Sequence, residues 1–193
     1  LDLVEKLVHM STQEASTEGI NWIYSPMLDL THDPRWGRIM ETAGEDPYYS
    51  SLVGERFVKG IQTPLKDGRI TAACAKHFIG YGAVEAGLDY NTTDYSEYRL
   101  NKLYVPTFKK AIDTGVMSVM NAFTTYNGEA VTGSKRLLKD LLRDELNFKG
   151  VVVTDWACIE QLKEHKQFKD DYEACINSIK LGLGIEMHSD VYY

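Results

Sequence analysis

Apolar positions at Leu3, Val4, Leu7, Val8 and Met10 recur at helical spacing and predict a helix running to about Glu18, where Gly19 ends it. Ile20 to Ser25 then reads as a strand, closed by Pro26. A polar loop from Met27 to Arg38 follows, loaded with Asp29, His32, Asp33, Arg35, Trp36 and Arg38. Asp46-Pro47 opens a second helix, with Leu52, Val53, Phe57, Val58 and Ile61 as its expected inner face. Ile70 to Ala75 is a short apolar strand with Lys76-His77 at its end, and a Gly-bearing loop runs from Gly80 to Asp94. Tyr95 to Asp113 is a third helix, facing inward through Leu100, Leu103, Tyr104, Phe108 and Ile112 and kinked or broken at Pro106. Val116 to Met120 is a strand, and the loop behind it holds Asn121, Tyr126, Asn127 and Gly128. Ser134 to Leu146 is a strongly patterned helix, followed by a strand from Gly150 to Asp155. Helices near Ile159 to Lys163 and Asp170 to Leu181 precede a last short strand, Ile185 to Met187.

Strands and helices thus alternate without a hairpin signal, and that order means an α/β fold with a parallel sheet. No GxGxxG and no GxxxxGK[ST] follows any strand, so a nucleotide-binding fold has no support. A (β/α)8 TIM-type barrel is the better expectation. The roughly five strands read here cannot close eight-stranded walls, so residues 1–193 are expected to be an incomplete portion of a barrel, or else an open sheet.

In a parallel barrel the chemistry collects where strands end, on one rim. The stretch Lys149 to Trp156 puts three valines and a threonine into a buried strand and then a lone carboxylate, Asp155, at its end. Two readings stand at this point: Asp155 does chemistry, or it caps the helix starting near Ala157. Lys76-His77, Asn121 and the Asp33 to Arg38 loop fall behind the other strands, so cations, an imidazole and a carboxylate converge. Arg and Lys donate hydrogen bonds and cannot accept them, which suits a polyhydroxylated ligand, and the Trp156 ring offers a face to sugar C–H groups. Net charge is −7 with no basic cluster, which argues against nucleic acid as a partner. No apolar run is long enough to cross a membrane. Cys74, Cys158 and Cys175 are odd in number and widely spaced, which predicts buried free thiols rather than disulfides or zinc ligands.

Residues 24–47 (YSPMLDLTHDPRWGRIMETAGEDP), 72–94 (AACAKHFIGYGAVEAGLDYNTTD) and 137–156 (LLKDLLRDELNFKGVVVTDW) resemble the N-terminal catalytic domain of glycoside hydrolase family 3. The likeness is in particular to bacterial periplasmic β-glucosidases of that family, and it covers essentially the whole chain. It implies a (β/α)8 barrel and retaining hydrolysis of terminal β-glycosides, without cofactor or metal. It also implies Asp155 as the nucleophile, Arg38, Lys76 and His77 as ligands of the non-reducing sugar's hydroxyls, and Trp156 beside the leaving group. A β-glucoside or oligosaccharide is then the expected partner, a periplasmic or secreted location the expected compartment, and a homo-oligomer is compatible with both. A retaining glycosidase needs a second carboxylate as acid/base, about 5–5.5 Å from the nucleophile. One subgroup of the family places that function on a His-Asp pair behind its "KHF" motif, but Ile79 to Leu88 holds no His. By the resemblance, the acid/base is a glutamate of a second domain outside this chain, and a further sugar-binding Asp lies upstream of Leu1. The fragment alone is therefore expected to be inactive. Phe123 stands where many relatives carry Tyr.

Other readings remain. Lys76 at a strand end suits a Schiff-base lysine, and a sugar-binding fragment without catalysis is consistent with half the machinery. A β-xylosidase is the alternative within the family. Glu41, Glu45 and Asp46 read as helix N-terminus and ion-pair partners, the latter with Arg35. Arg35 and Trp36 read as loop scaffolding, and His9 and His165 as solvated. His32 and His188 follow strands toward the rim without forming a metal site, and Asn91-Thr92-Thr93 is a glycosylation sequon.

Overall fold

The computed structural model describes residues 1–192. Five strands form one parallel sheet in the order β1 (Trp22–Ile23), β2 (Ala72–Phe78), β3 (Ser118–Asn121), β6 (Val151–Trp156) and β7 (Ile185–Met187). The strands are linked by α1 (Asp2–Thr17) ahead of β1, α2 (Pro47–Gln62), and a helical run from α3 (Glu97–Arg99) through a π-turn (Leu100–Tyr104) into α4 (Val105–Asp113). A π-helix (Arg136–Glu145), α5 (Cys158–Glu164) and α6 (Asp171–Lys180) complete the set.

Side-chain alternation gives the sheet two different faces. Toward the helices, Ala73, Ala75, Val119 and Val152 pack with Val58, Ile61, Phe108, Leu138 and Leu142 in the main core. On the other face each strand supplies one side chain to a second cluster, with Cys74, Met120 and Val153 buried and Trp22 and Met187 packed against them. Small residues on β2 let the helices approach. α2 faces in through Ser50, Gly54, Val58 and Ile61, while Leu52, Val53 and Phe57 are only half-buried. Asp46 caps α2 by accepting from the Tyr49 N–H at 2.6 Å. His9 is not simply solvated: its Nδ1 lies 3.1 Å from the Gly60 carbonyl and ties α1 to α2.

Three elements differ from the expectation, each for a local reason. Regular pairing in β1 covers two residues, after which the chain follows β2 irregularly through Leu28, whose N–H donates to the Lys76 carbonyl at 2.6 Å. Pro26 has no N–H to extend a ladder. Pro106 does not end the helical run; the irregularity falls just ahead of it, where the π-turn Leu100–Tyr104 passes into α4. Finally, a small antiparallel hairpin of β4 (Thr125–Tyr126) and β5 (Glu129–Ala130) stands in the loop after β3. Its turn is Asn127-Gly128, both at positive φ (50° and 76°). That is the backbone a two-residue hairpin turn of this hand demands.

Gly150 enters β6 where a side chain has no room: a Cβ there would stand 2.2 Å from the Met117 carbonyl oxygen and 2.7 Å from the Phe148 ring. Gly150→Ala is expected to push β6 away from β3 and to cost about 1–3 kcal/mol, read as a lower melting temperature of the full-length protein. An unchanged melting temperature would show that the strand shifts freely.

Candidate active site

All five strands run the same way, so their C-terminal ends open on one side. Two of these ends carry ladder irregularities. The β2–β3 register shifts between Ala75 and Phe78, and the β6–β7 register between Val153 and Trp156. Such shifts re-aim side chains. They fall on Lys76-His77 and on Asp155.

His77 is buried and anchored by Asp29, which lies between Leu28 and Leu30 in the loop after β1. Asp29 Oδ2 accepts from the His77 backbone N–H at 3.0 Å and sits 2.8 Å from Nδ1. A carboxylate can only accept, so Nδ1 carries a proton. Nε2 then faces outward, 3.4 Å from Arg38 Nη1 and 3.4 Å from Asp155 Oδ2. In the neutral ring Nε2 accepts from Arg38. Protonated, it turns a positive edge to Asp155.

Arg38 precedes a single 3-10 turn, Ile39–Glu41, and that turn brings Glu41 back against it. Nε and Nη2 donate to the two Glu41 oxygens at 2.7 and 3.0 Å, a bidentate pair. The Arg38 hydrogen bonds hold the Glu41 carboxyl below its ordinary range, and Glu41 raises Arg38 in turn. Lys76 Nζ lies 3.9 Å from Glu41. Strict alternation along β2 would send Lys76 and His77 to opposite faces, yet both reach the same Arg38–Glu41 unit. Arg38 also lies over the Tyr81 ring, 5.6 Å from its centroid. Tyr81 donates to Asp89, which accepts from Trp36 Nε1 at 2.9 Å as well. Burial, then the Asp89 contact, pushes the Tyr81 hydroxyl well above the usual phenol range.

Asp155 does not cap α5. Ala157, at φ 51°, is the residue ahead of the helix and no side chain caps it, and Asp155 Oδ1 instead accepts from the Trp156 N–H at 2.7 Å. Asp155 Oδ2 makes no hydrogen bond within the protein. Its nearest polar neighbour is His77 Nε2 at 3.4 Å. The Trp156 ring is 54% exposed and stacks on His188, with ring centroids 3.6 Å apart and planes 20° off parallel. Cys158 lies buried behind the carboxylate, and burial, then the Asp155 charge, raises its thiol. Cys74 is pushed up to about 12 by burial. Cys175 is only half-buried, and all three thiols are free.

The site therefore unites Arg38, His77 and Asp155 directly, with Trp156 adjoining through the backbone and Lys76 through Glu41. Chain comparison then decides the family. Residues 1–193 match the Glycosyl hydrolase family 3 N terminal domain. The chain is 41% identical to a periplasmic beta-glucosidase of Salmonella typhimurium over all of its own length and 25% of that protein's. It is 36% identical to a beta-xylosidase of Formosa agariphila, over 96% of this chain and 27% of the relative. The crystal structure of a beta-glucosidase from Listeria innocua superposes with a TM-score of 0.94 at 39% identity, over 98% of this chain and 27% of that one. The chain belongs to glycosyl hydrolase family 3.

Its five parallel strands are a half-barrel that matches part of the family's (β/α)8 N-terminal domain. The chain spans about a quarter of the length of the curated relatives it matches. The Listeria protein has been crystallised in complex with glucose and, as a mutant, with laminaribiose. Among the described residues no cluster of three His, Cys, Asp or Glu side chains has metal-binding geometry. Among the described residues no helix is long and apolar enough to cross a membrane.

Several roles differ from what this family 3 sequence suggested. Glu41 pairs with Arg38, while Arg35 pairs with Asp33 at 2.6 Å and holds that carboxyl at about 2. His32 meets Glu45 at 3.5 Å and lies off the site, whereas His188 joins it. Lys76 Nζ stands 3.9 Å from the Glu41 carboxylate, which is an acceptor for its ammonium. The sequence assigns no role to Tyr81 or Asp89, and it places Asp29 only in the polar loop and His188 only as following a strand. An acidic residue between two leucines, as at Asp29, is the one available hint of a buried carboxylate.

Because the folded Glu41 value lies below its ordinary 4.5, the Arg38 pair is fully in place above that range and is lost as pH falls through the lowered value. Glu41→Gln is expected to lower the melting temperature of the full-length protein at neutral pH. The gap to the parent should close as the solution is acidified below the glutamate range. A gap that widens on acidification would contradict this coupling.

Proposed function

We propose that the protein acts as a retaining, exo-acting β-glucosidase with Asp155 as the nucleophile. The observation that carries this reading is the position of Asp155: it ends β6 with Oδ2 free of hydrogen bonds, 3.4 Å from the His77 imidazole and beside the exposed Trp156 ring. A carboxylate oxygen attacks the anomeric carbon as the bond to the leaving oxygen breaks. An acid delivers a proton to that oxygen, and the resulting glycosyl-enzyme is opened by water, whose proton returns to the same group. We assign the acid/base to a glutamate of a second domain outside residues 1–193. The positive charge that develops at the sugar carbon in the transition state favours an ionised carboxylate facing it.

Arg38, Lys76 and His77 bind the non-reducing sugar. Arg38 and Lys76 are pure donors, and each hydroxyl offers lone pairs. Glu41 remains an acceptor for hydroxyl protons. Trp156 takes the leaving group against its free face. A β-xyloside is the second reading, favoured by the 36% identical β-xylosidase relative; the two sugars differ by one hydroxymethyl group. The periplasmic relative supports a location outside the cytoplasm, where fractionation of cells making the full-length protein is expected to find it.

The test uses the full-length protein and an activated 2-deoxy-2-fluoro β-glucoside. A covalent adduct is expected on the peptide bearing Asp155, and Asp155→Ala should abolish both labelling and turnover. Hydrolysis that survives Asp155→Ala would move the nucleophile elsewhere. Labelling by the fluoro-xyloside alone would select the second reading.

A further inference from the structure

His188 stands just past the end of β7, at φ 63°. His is among the few side chains that adopt this left-handed backbone with any frequency. The chain on either side of it is tied down. Met187 pairs with Trp156 in the ladder, its N–H donates to Thr154 Oγ1 at 2.8 Å, and its carbonyl accepts from the Ala157 N–H at 2.9 Å. Glu186 holds the turn that follows. Its carboxylate accepts from Ser189 Oγ at 2.8 Å and from the Val191 and Tyr192 N–H groups at 3.3 and 3.0 Å. The imidazole is thus presented on a fixed turn, and it lies on the Trp156 indole with ring centroids 3.6 Å apart.

Both rings are exposed, and neither belongs to an apolar core cluster. The stack therefore acts on the indole rather than on the core. It covers one face of Trp156 and sets the ring plane relative to β6, so a ligand meets the opposite face. A ring already held in place loses less freedom when a ligand stacks on it.

We propose that His188 is a positioning residue for the leaving-group side of the site: by fixing Trp156 it sets how tightly the departing or incoming group is held. The inference rests on the glycosidase reading above, in which Trp156 meets the leaving group. For the test, the full-length protein is converted to its 2-deoxy-2-fluoroglucosyl form and freed of excess reagent. Its return to activity is followed in buffer alone and with rising phenyl 1-thio-β-glucoside, an acceptor whose own sulfur-linked bond resists cleavage. In buffer, water opens the intermediate. With the acceptor, one of its hydroxyl oxygens bonds to the anomeric carbon as the bond to Asp155 breaks, and the hydroxyl proton passes to the acid/base.

His188→Asn removes the ring and keeps a residue suited to positive φ. It is expected to raise the acceptor concentration for half-maximal reactivation by about three- to tenfold, the scale of one aromatic contact, with the water rate unchanged. His188→Phe, which returns a flat ring, should bring the parent value back. In a Trp156→Ala background, His188→Asn should add nothing further. A His188→Asn variant that keeps the parent's half-maximal concentration, or that slows water and acceptor reactivation alike, would overturn the role of His188. So would a labelled parent that the acceptor does not accelerate. A parent neither labelled nor active on aryl β-glucosides would overturn the glycosidase reading itself, and this inference with it.

Discussion

One oxygen atom, Oδ2 of Asp29, holds the end of β2 to the loop after β1. It takes the backbone N–H and faces the Nδ1 of His77, within 3.0 Å of each. The pair is buried, so leaving either donor without its acceptor would cost roughly 1–3 kcal/mol. The bond fixes more than a side chain. It sets the tautomer, presents Nε2 outward and thereby defines the point where Arg38 and Asp155 both stand at 3.4 Å. Arg38, His77 and Asp155 come from three separate segments of the chain, and their spacing is inherited from this contact.

Around it the charges are arranged in alternation. Asp29 faces His77, His77 faces Asp155, and Arg38 faces Glu41, which also reaches toward Lys76. Arg38 and Lys76 each have the Glu41 carboxylate within 4 Å, so positive charge gathers at the sugar-binding end without leaving bare cations in a half-buried pocket. Asp155 is treated differently. One of its oxygens takes the adjacent backbone N–H and the other takes no hydrogen bond.

The rim is aromatic where the site meets solvent. Trp156 is backed by His188, and Tyr90 by Phe123, each through nearly parallel rings. Both platforms depend on backbone that is unusual for residues with a Cβ. Ala157 and His188 sit at φ 51° and 63°, and Tyr90 at 62°. Positive φ at such residues is uncommon and concentrates at functional loops. The Asp89 carboxylate, joined to Trp36 and Tyr81, pins the base of the loop that carries Tyr90.

The β-α alternation was legible along the chain because burial against a sheet or a helix imposes a period of 2 or 3.6, which each segment records by itself. For the same reason Asp155, Lys76 and His77 were visible as polar residues ending apolar runs, and three ordered motifs carried the family. The β4–β5 hairpin had a local signal in Asn127-Gly128, but its two-residue strands are too short to show alternation. Nothing local marks the pairing of Asp29 with His77, 48 residues away, or of Trp156 with His188 just past the next strand, or the choice of Glu41 over its neighbours as the brace of Arg38. Those contacts exist because parallel strands deliver distant residues to one edge and register shifts turn them toward each other. The sequence by itself determined which side chains lie at the strand ends. Only the tertiary structure decided which of them touch, since contact between residues far apart in the chain depends on how the sheet is assembled.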